Sequence, residues 1–157
     1  MNKIQLHQQL MTYLQTQLKN AQVAAKSAHE TATNEENIAE NKYDTLALEA
    51  AYLAHGQSQR ALKCQADIDA CISLPLANSV KGALGALVVL VDENEQAKYL
   101  FVCPVAGGVK LRWQEHTVLV VTPESPMGSI LIDKHADEQV NITINDKTHD
   151  YDILQII

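Results

Sequence analysis

The chain has 157 residues, and its 12 Lys and Arg against 19 Asp and Glu give a formal net charge of −7. This charge argues against a protein whose main partner is bare duplex DNA, because such a partner requires a net basic surface. Hydrophobic residues make up 46% of the chain and aromatic residues only 4%. The chain therefore has enough apolar residues to form a core. The scarcity of aromatic residues favours helices packed through small side chains over an aromatic-lined pocket.

The distribution of proline and glycine along the chain changes near Pro75. No proline precedes it, and Gly56 is the only glycine before it. The remaining prolines and glycines, and most β-branched residues, follow it. We therefore predict an α-helical hairpin over residues 1–73 and an α+β domain over residues 79–157.

Apolar residues of the first half repeat every seven positions, as in the seam of a coiled coil. The predicted seam of the first helix is Ile4, Met11, Leu18, Ala25 and Ala32, with Leu14, Ala21 and Ala28 at the alternate positions. The predicted seam of the second helix is Ala47, Ala54, Ala61 and Ile68, with Tyr43, Ala50, Cys64 and Cys71 at the alternates.

The sizes of these side chains predict the direction of pairing. The first helix runs from large residues to alanine, and the second runs from alanine to large residues. An antiparallel hairpin pairs like sizes at each end, so we expect a turn near residues 33–44, close packing beside it and a wider base. The alternative interpretation is a helical bundle that forms by self-association.

The second half alternates between apolar and polar residues, which is typical of a mostly antiparallel sheet. The predicted strands are Ala86–Asp92, Lys98–Cys103, Thr117–Thr122, Val140–Ile144 and Tyr151–Ile156. Turns are predicted at residues 92–94 and 145–146, and a further hairpin turn at Gly107-Gly108. Ser125 is predicted to cap a short helix that begins at Pro126.

Charge is unevenly placed along the predicted hairpin. Residues 1–29 contain three lysines and no acid, whereas residues 30–49 contain six acids and one lysine. The acids near the turn admit two interpretations. They either cap the second helix, or they form a carboxylate cluster suited to Mg²⁺, which binds one or two carboxylates and keeps several waters.

The three cysteines, Cys64, Cys71 and Cys103, form no CxxC motif, and their number is odd. We expect small, buried, reduced side chains, because a secreted disulfide framework would show a different pattern. The first ten residues lack the apolar segment of a signal peptide, and no apolar run is long enough to span a membrane. The expected location is the cytoplasm.

Two stretches resemble the bacterial GreA/GreB family of transcript-cleavage factors, in a diverged Gre-like subgroup. The run Glu36-Asn-Ile-Ala-Glu40-Asn41-Lys-Tyr43 is similar to the family's Gly-Asp-Leu-x-Glu-Asn-Ala-Glu-Tyr tip. The run Val121-Thr-Pro-Glu-Ser-Pro126-Met-Gly-Ser-Ile-Leu131 is similar to its Ser-Pro-Leu-x-x-Ala-Leu-Leu motif. The later runs 137–140 and 149–153 continue the series, so the resemblance spans the chain.

This resemblance implies a function. Gre factors bind RNA polymerase: an FKBP-like C-terminal domain docks at the rim of the secondary channel, and the coiled coil enters it. The tip then helps to hold the polymerase's second Mg²⁺, and the polymerase cleaves backtracked RNA. The resemblance thus implies a role in transcription regulation, the DNA-binding description that the family carries, and indirect contact with nascent RNA. It also implies a monomer with no enzyme activity of its own, no stably bound cofactor and no membrane partner.

The resemblance also implies site residues. Glu40 takes the place of the family's tip Glu, the family's Asp falls on Asn37, and Glu36 is a second carboxylate that could replace it. The other candidate residues support the tip, dock the polymerase or face RNA. They are Glu35, Asn41, Tyr43 and Asp44 for the tip; Pro123, Ser125, Pro126, Met127 and Gly128 for docking; and Lys19 and Lys26 for RNA.

Three alternatives remain open at this point. Because Asn37 brings no charge to a metal, the protein could occupy the channel without stimulating cleavage. An FKBP-like fold also suggests a prolyl isomerase or chaperone, although such a pocket needs several aromatic side chains. A coiled-coil scaffold would leave the acidic turn and the C-terminal motifs unexplained.

Overall fold

The computed structural model describes residues 2–33, 45–144 and 146–157. Two long helices open the chain, and six strands with one short helix follow. The helices are α1 (Lys3–Thr33), α2 (Thr45–Ile72) and α3 (Pro126–Ser129). The strands are β1 (Leu87–Asp92), β2 (Ala97–Val102), β3 (Lys110–Trp113), β4 (His116–Val121), β5 (Gln139–Ile144) and β6 (Lys147–Ile156). The predicted α+β class is confirmed.

The contacts divide the chain into two units. The helical unit is Thr12–Asp69, and the sheet unit combines Met1–Met11 with Ala70–Ile157. The predicted domains, 1–73 and 79–157, were continuous in sequence. In the structure the first turns of α1 and the last turn of α2 instead belong with the sheet.

The two helices of the helical unit run antiparallel, as predicted. One groove between them is lined by Ala25 and Thr33 of α1 together with Ala51 and Ser58 of α2. A second groove is lined by Leu18 together with residues from Ser58 to Gln65. Higher numbers on α1 therefore face lower numbers on α2. The second helix also continues well past Cys64, to Ile72.

Apart from Ile4, the predicted seam positions whose burial is described are buried or half-buried; Tyr43 and Ala47 lie outside that set. Leu14, Ala21 and Ala28 are buried on α1, and Ile68 and Cys71 are buried on α2. Ile4 is a wrong prediction, because 57% of its surface is exposed. The first turns instead bury Leu6 and Leu10, since they belong to the sheet unit rather than to the hairpin seam.

Alanines near the predicted turn line a groove of about 640 Å³ along the described part of the hairpin. Ala21 and Ala28 of α1 are buried, whereas Ala50 and Ala54 of α2 are half-buried. Alanine removes little apolar area from water, so these positions contribute little burial.

The sheet is mixed, with strand order β3-β4-β2-β1-β6-β5. Four of its five pairings are antiparallel, and β2 pairs with β4 in parallel. The five predicted strands are confirmed to within a few residues, whereas β3 was not predicted. The predicted hairpin turn at Gly107-Gly108 is wrong. These glycines connect β2 to β3, and β4 lies between those two strands in the sheet, so β2 and β3 are not paired.

Both faces of the central strand β1 are buried, which explains its continuous apolar sequence. One face contributes Val88 and Leu90 to a core that includes Leu131 beyond α3. The other face carries Leu87 and Val89, which are also buried. The first turns of α1 belong to the same unit and are hydrogen-bonded to it through Lys3, His7 and Gln9. No helix in the described part of the chain is long and apolar enough to cross a membrane.

Candidate functional site

The predicted tip lies outside the described residues. This applies to the metal candidates Glu36, Asn37 and Glu40, and to the supporting residues Glu35, Asn41, Tyr43 and Asp44. The flanking helix ends are described. Because the helices run antiparallel, Thr33 at the end of α1 lies beside the first turns of α2.

The two lysines predicted to face RNA are exposed on α1. Lys26 lies 3.7 Å from Glu30, one turn later, and it also lines the alanine groove together with His29 and His55. The Lys26–Glu30 pair is mostly exposed, so it contributes little to stability and is open to exchange with another anion. Within the described residues, no group of three His, Cys, Asp or Glu could hold a metal ion.

The predicted docking segment is a turn in which Ser125 makes two hydrogen bonds to the backbone. Its Oγ accepts a hydrogen bond from the Gly128 N–H at 3.1 Å and donates one to the Thr122 carbonyl at 2.7 Å. Ser125 is therefore the predicted N-cap of α3, and Pro126 is at the predicted first position.

Glycine is required at position 128. A Cβ added there would lie 1.9 Å from the Thr122 carbonyl oxygen, so a larger residue would displace the turn. Three features thus hold this segment: the capping hydroxyl of Ser125, the proline at position 126 and the close approach of Gly128 to the Thr122 carbonyl.

An apolar cavity of about 430 Å³ lies beside this turn. Of the five predicted docking residues, Ser125, Pro126 and Met127 line it, whereas Pro123 and Gly128 do not. The other lining residues come from the loop before β3, from β4 and from β5: Gly107, Gly108, Leu119, Val120, Val121, Ile142 and Thr143. These residues were not predicted as site residues, and their alternating pattern signalled only strands. The fold alone brings β4 and β5 to the same cavity.

The aromatic residues of the sheet unit lie elsewhere. Phe101 and Tyr151 are buried in the core. Tyr99 and Trp113 each stack with His116, at ring-centre distances of 4.5 and 5.6 Å. None of these residues lines the cavity beside α3. A cavity with aliphatic walls suits an apolar side chain of a partner better than the aromatic cradle that a prolyl isomerase needs.

Charged groups of the loop between α3 and β5 form ion pairs, one within the loop and one with Lys81. The pKa of Glu138 lies below its ordinary value because Lys134 Nζ donates to its carboxylate at 3.0 Å and the His135 N–H donates at 2.9 Å. The pKa of Asp133 is lowered in the same way, chiefly by a hydrogen bond from Lys81. These pairs are exposed and hold the loop between α3 and β5.

Comparison with protein-family models and with curated proteins finds no match. Among solved structures, the chain is similar to one titled GreA factor homolog 1 (Gfh1) of Thermus thermophilus, with 15% identity, 94% of each chain covered and a TM-score of 0.38. It is similar to another titled transcription factor Gfh1, with 19% identity, 97% of this chain and 93% of that chain covered and a TM-score of 0.42. A third, titled prokaryotic transcription elongation factor GreA/GreB from Nitrosomonas europaea, has 12% identity, covers 69% of this chain and 91% of that chain, and has a TM-score of 0.34.

Proposed function

We propose that this protein is a Gre-type transcription elongation factor that binds RNA polymerase at its secondary channel. In this proposal the sheet unit docks at the channel rim, and the hairpin carries tip carboxylates toward the Mg²⁺ of the polymerase active centre. The protein is not an enzyme; at most it stimulates the polymerase's own cleavage of backtracked RNA. The proposed partner implies a cytoplasmic location, and we expect a monomer.

The observation that carries the proposal is the antiparallel hairpin with an acidic stretch between its helices. The helices contain 31 and 28 residues. At 1.5 Å per residue, each extends about 42–46 Å. A hairpin of this length can carry a small group of carboxylates to a buried site in a much larger partner. A scaffold coiled coil has no need of acids concentrated at one end.

The second support is the apolar cavity at the C-terminal motif. The motif that resembles the family forms the α3 turn, and three of its residues line the cavity. Apolar anchors that enter well-packed pockets commonly dominate the affinity of protein interfaces. We therefore propose that an apolar side chain of the polymerase rim enters this cavity and contacts Met127.

The proposed tip chemistry uses the metal of the polymerase rather than a metal of this chain. Glu36 and Glu40 offer carboxylate oxygens, and Asn37 offers an amide oxygen, all hard ligands of the kind that Mg²⁺ prefers. When bound, this ion activates water and stabilises charge in phosphodiester cleavage. Lys19 and Lys26, exposed along α1, are proposed to face the RNA phosphates.

A second candidate function is a channel-occupying regulator that does not stimulate cleavage. The observation that favours it is Asn37, which stands where the family has Asp. An amide oxygen brings no negative charge, so it holds a loosely bound Mg²⁺ less well than a carboxylate does. Both candidates require the same hairpin and the same docking surface, and they differ only at the tip.

Cleavage of RNA in stalled, backtracked elongation complexes with Mg²⁺ separates the two candidates. A cleavage factor gives robust cleavage that Glu40→Ala or Glu36→Ala largely removes, because two carboxylates on one metal act as a unit. A channel-occupying regulator binds without cleavage, and Asn37→Asp gains activity. Strong cleavage that neither Glu→Ala change reduces would contradict the assigned tip residues.

A further inference from the structure

Strand β5 is an edge strand of the sheet that the described residues form, and β6 is its strand partner there. Pairs in an antiparallel ladder alternate between hydrogen-bonded and non-bonded positions. The Ile153 N–H donates to the Glu138 carbonyl at 2.9 Å, so the even-numbered residues of β5 bond to β6. The N–H and C=O groups of Gln139, Asn141 and Thr143 therefore point to the outer edge, where a further strand can bond to them.

The sequence of β5 does not oppose the addition of a strand. It reads Gln-Val-Asn-Ile-Thr-Ile, with no charged residue and no proline. Edge strands commonly carry lysine or proline, which hinder pairing with another chain. Gln139, Asn141 and Thr143 are exposed, whereas Val140 and Ile142 belong to the core on the other face of the strand. An added strand would therefore meet outward backbone groups and no charge within β5.

The surroundings of this edge differ between the two faces of the sheet. Ile142 and Thr143 line the apolar cavity beside α3, so the cavity adjoins the edge. On the face opposite to Ile142 lie Asp150 and Asp152 of β6, directly across from the exposed residues of β5, and both are exposed themselves. Cross-strand neighbours share a face, so an added strand would place its side chains alternately on the cavity side and on the carboxylate side.

We propose that the β5 edge is a peptide-binding site, at which an extended segment of a partner protein adds as a further strand. Aliphatic side chains of this segment lie on the Ile142 side, next to the cavity, and its Lys or Arg side chains lie on the side of Asp150 and Asp152. Charge decides against a second copy of this chain as the occupant. Strand β5 contains no basic residue, and a second copy would bring the same two carboxylates.

The proposal goes beyond polymerase docking, and it holds whichever protein supplies the segment. Its test uses the full-length protein and a synthetic heptapeptide that alternates lysine with valine and is blocked at both ends. NMR measures hydrogen exchange of the β5 amides. In the free protein, the amides of Asn141 and Thr143 should exchange faster than those of Val140 and Ile142, which bond to β6. A saturating concentration of the peptide should slow exchange at Asn141 and Thr143 by about tenfold or more.

Two control peptides separate strand addition from unspecific adsorption. A peptide of the same sequence that is N-methylated at every second residue, made in both registers, keeps its charges and side chains but loses backbone donors. In at least one register it should bind about tenfold more weakly. A peptide with glutamate in place of lysine should also bind more weakly, because it meets Asp150 and Asp152 with like charge.

Variants of the protein locate the site. Asn141→Pro removes one outward N–H and leaves the donors to β6 in place, so we expect about a tenfold loss of peptide affinity. Asp150→Asn should lose about threefold. Glu115→Gln, which removes an equal charge from the turn between β3 and β4, should bind like the wild type. Circular dichroism first establishes that Asn141→Pro folds, and the wild-type exchange data and the N-methylated peptides decide the question even if it does not.

Three outcomes would overturn the proposal. The first is exchange at Asn141 and Thr143 that the lysine–valine peptide leaves unchanged. The second is equal binding of the unmodified peptide and of both N-methylated peptides, which would mean adsorption through side chains. The third is slow exchange at these two amides without peptide that grows with protein concentration, which would assign the edge to a second copy of this chain. None of the three bears on polymerase binding, so the two proposals fail separately.

Discussion

The side-chain amide of Gln9 replaces a missing strand partner of Arg112. Its Nε2 donates to the Arg112 carbonyl at 2.7 Å, and its Oε1 accepts from the Arg112 N–H at 3.0 Å. Arg112 lies on β3, which is an edge strand in the sheet that the described residues form. One glutamine thereby anchors the first turns of α1 and protects an open sheet edge.

Replacing Gln9 by Ala removes both hydrogen bonds. We expect the free energy of unfolding to fall by about 1 kcal/mol, because the bonds are exposed and water partly replaces them. Urea unfolding followed by circular dichroism measures the change. Gln5→Ala, an exposed glutamine on the same helix, is the matched control and should have a smaller effect. Equal losses in the two variants would mean that the Gln9 bonds contribute nothing specific.

Two glycines in different settings should respond oppositely to alanine. Gly128→Ala should destabilise by about 2 kcal/mol, since the new Cβ overlaps the Thr122 carbonyl oxygen. Gly56→Ala should stabilise by about 0.5–1 kcal/mol, because Gly56 lies inside α2 with nothing within 4 Å of the new Cβ. Thermal and urea unfolding measure both. A destabilised Gly56→Ala, or a neutral Gly128→Ala, would contradict the packing described here.

The ion pair between Lys134 and Glu138 makes stability depend on pH. The pKa of Glu138 in the folded protein lies below its ordinary value of 4.5. Its contribution is therefore fully present above that value, and it is lost as pH falls through the lower, folded-state pKa. We expect the unfolding free energy of the wild type to fall more steeply between about pH 5 and pH 3 than that of Glu138→Gln.

Lys134→Gln provides the control for this titration, because it removes the largest cause of the lowered pKa. The Glu138 carboxyl should then titrate closer to its ordinary value in an NMR pH series. Identical titration curves in the wild type and in Lys134→Gln would show that the ion pair is not formed in solution.

The docking proposal predicts that a charge in the apolar cavity weakens binding to RNA polymerase. Met127→Glu places a carboxylate among aliphatic walls, and burial of an unpaired charge is costly. We expect at least about a tenfold loss of affinity, which corresponds to about 1.4 kcal/mol. Glu124→Gln, on the same exposed turn, should bind like the wild type. Unchanged binding of Met127→Glu would place the docking surface elsewhere.

Full-length variants test docking better than a fragment does. Residues 76–157 contain all six strands, but they lack Leu6 and Leu10, which are fully buried in the sheet unit. They also lack Gln9, which holds the edge strand. Such a fragment would expose part of its core, so a failure to bind could not be assigned to the cavity.

Local sequence patterns predicted the elements that depend on local signals. The two long helices, the Ser125 cap and five of the six strands were found in this way. The strand β3 was missed because it has four residues, two of them charged, and so resembles a loop. The parallel pairing of β2 with β4 was also missed. In sequence β3 lies between these two strands, but in the sheet it pairs with the outer edge of β4, and no local sequence pattern indicates that placement.

Contacts distant in sequence could not be predicted. Gln9 and Arg112 are 103 positions apart, and nothing in either local pattern points to the other. The same holds for Met127 and Ile142, which line the same apolar cavity. The family resemblance identified the turn near Ser125 as a candidate, but only the folded sheet shows which of its residues line a cavity.

The most direct test of the central claim is competition for RNA polymerase. A labelled Gre cleavage factor is bound to the core enzyme, the full-length protein is added, and release of the label is measured by fluorescence anisotropy. The account predicts that the wild type displaces the labelled factor and that Met127→Glu does so only at a concentration higher by about tenfold or more. Binding of the protein to polymerase with the labelled factor still in place, or no binding at all, would contradict a secondary-channel factor.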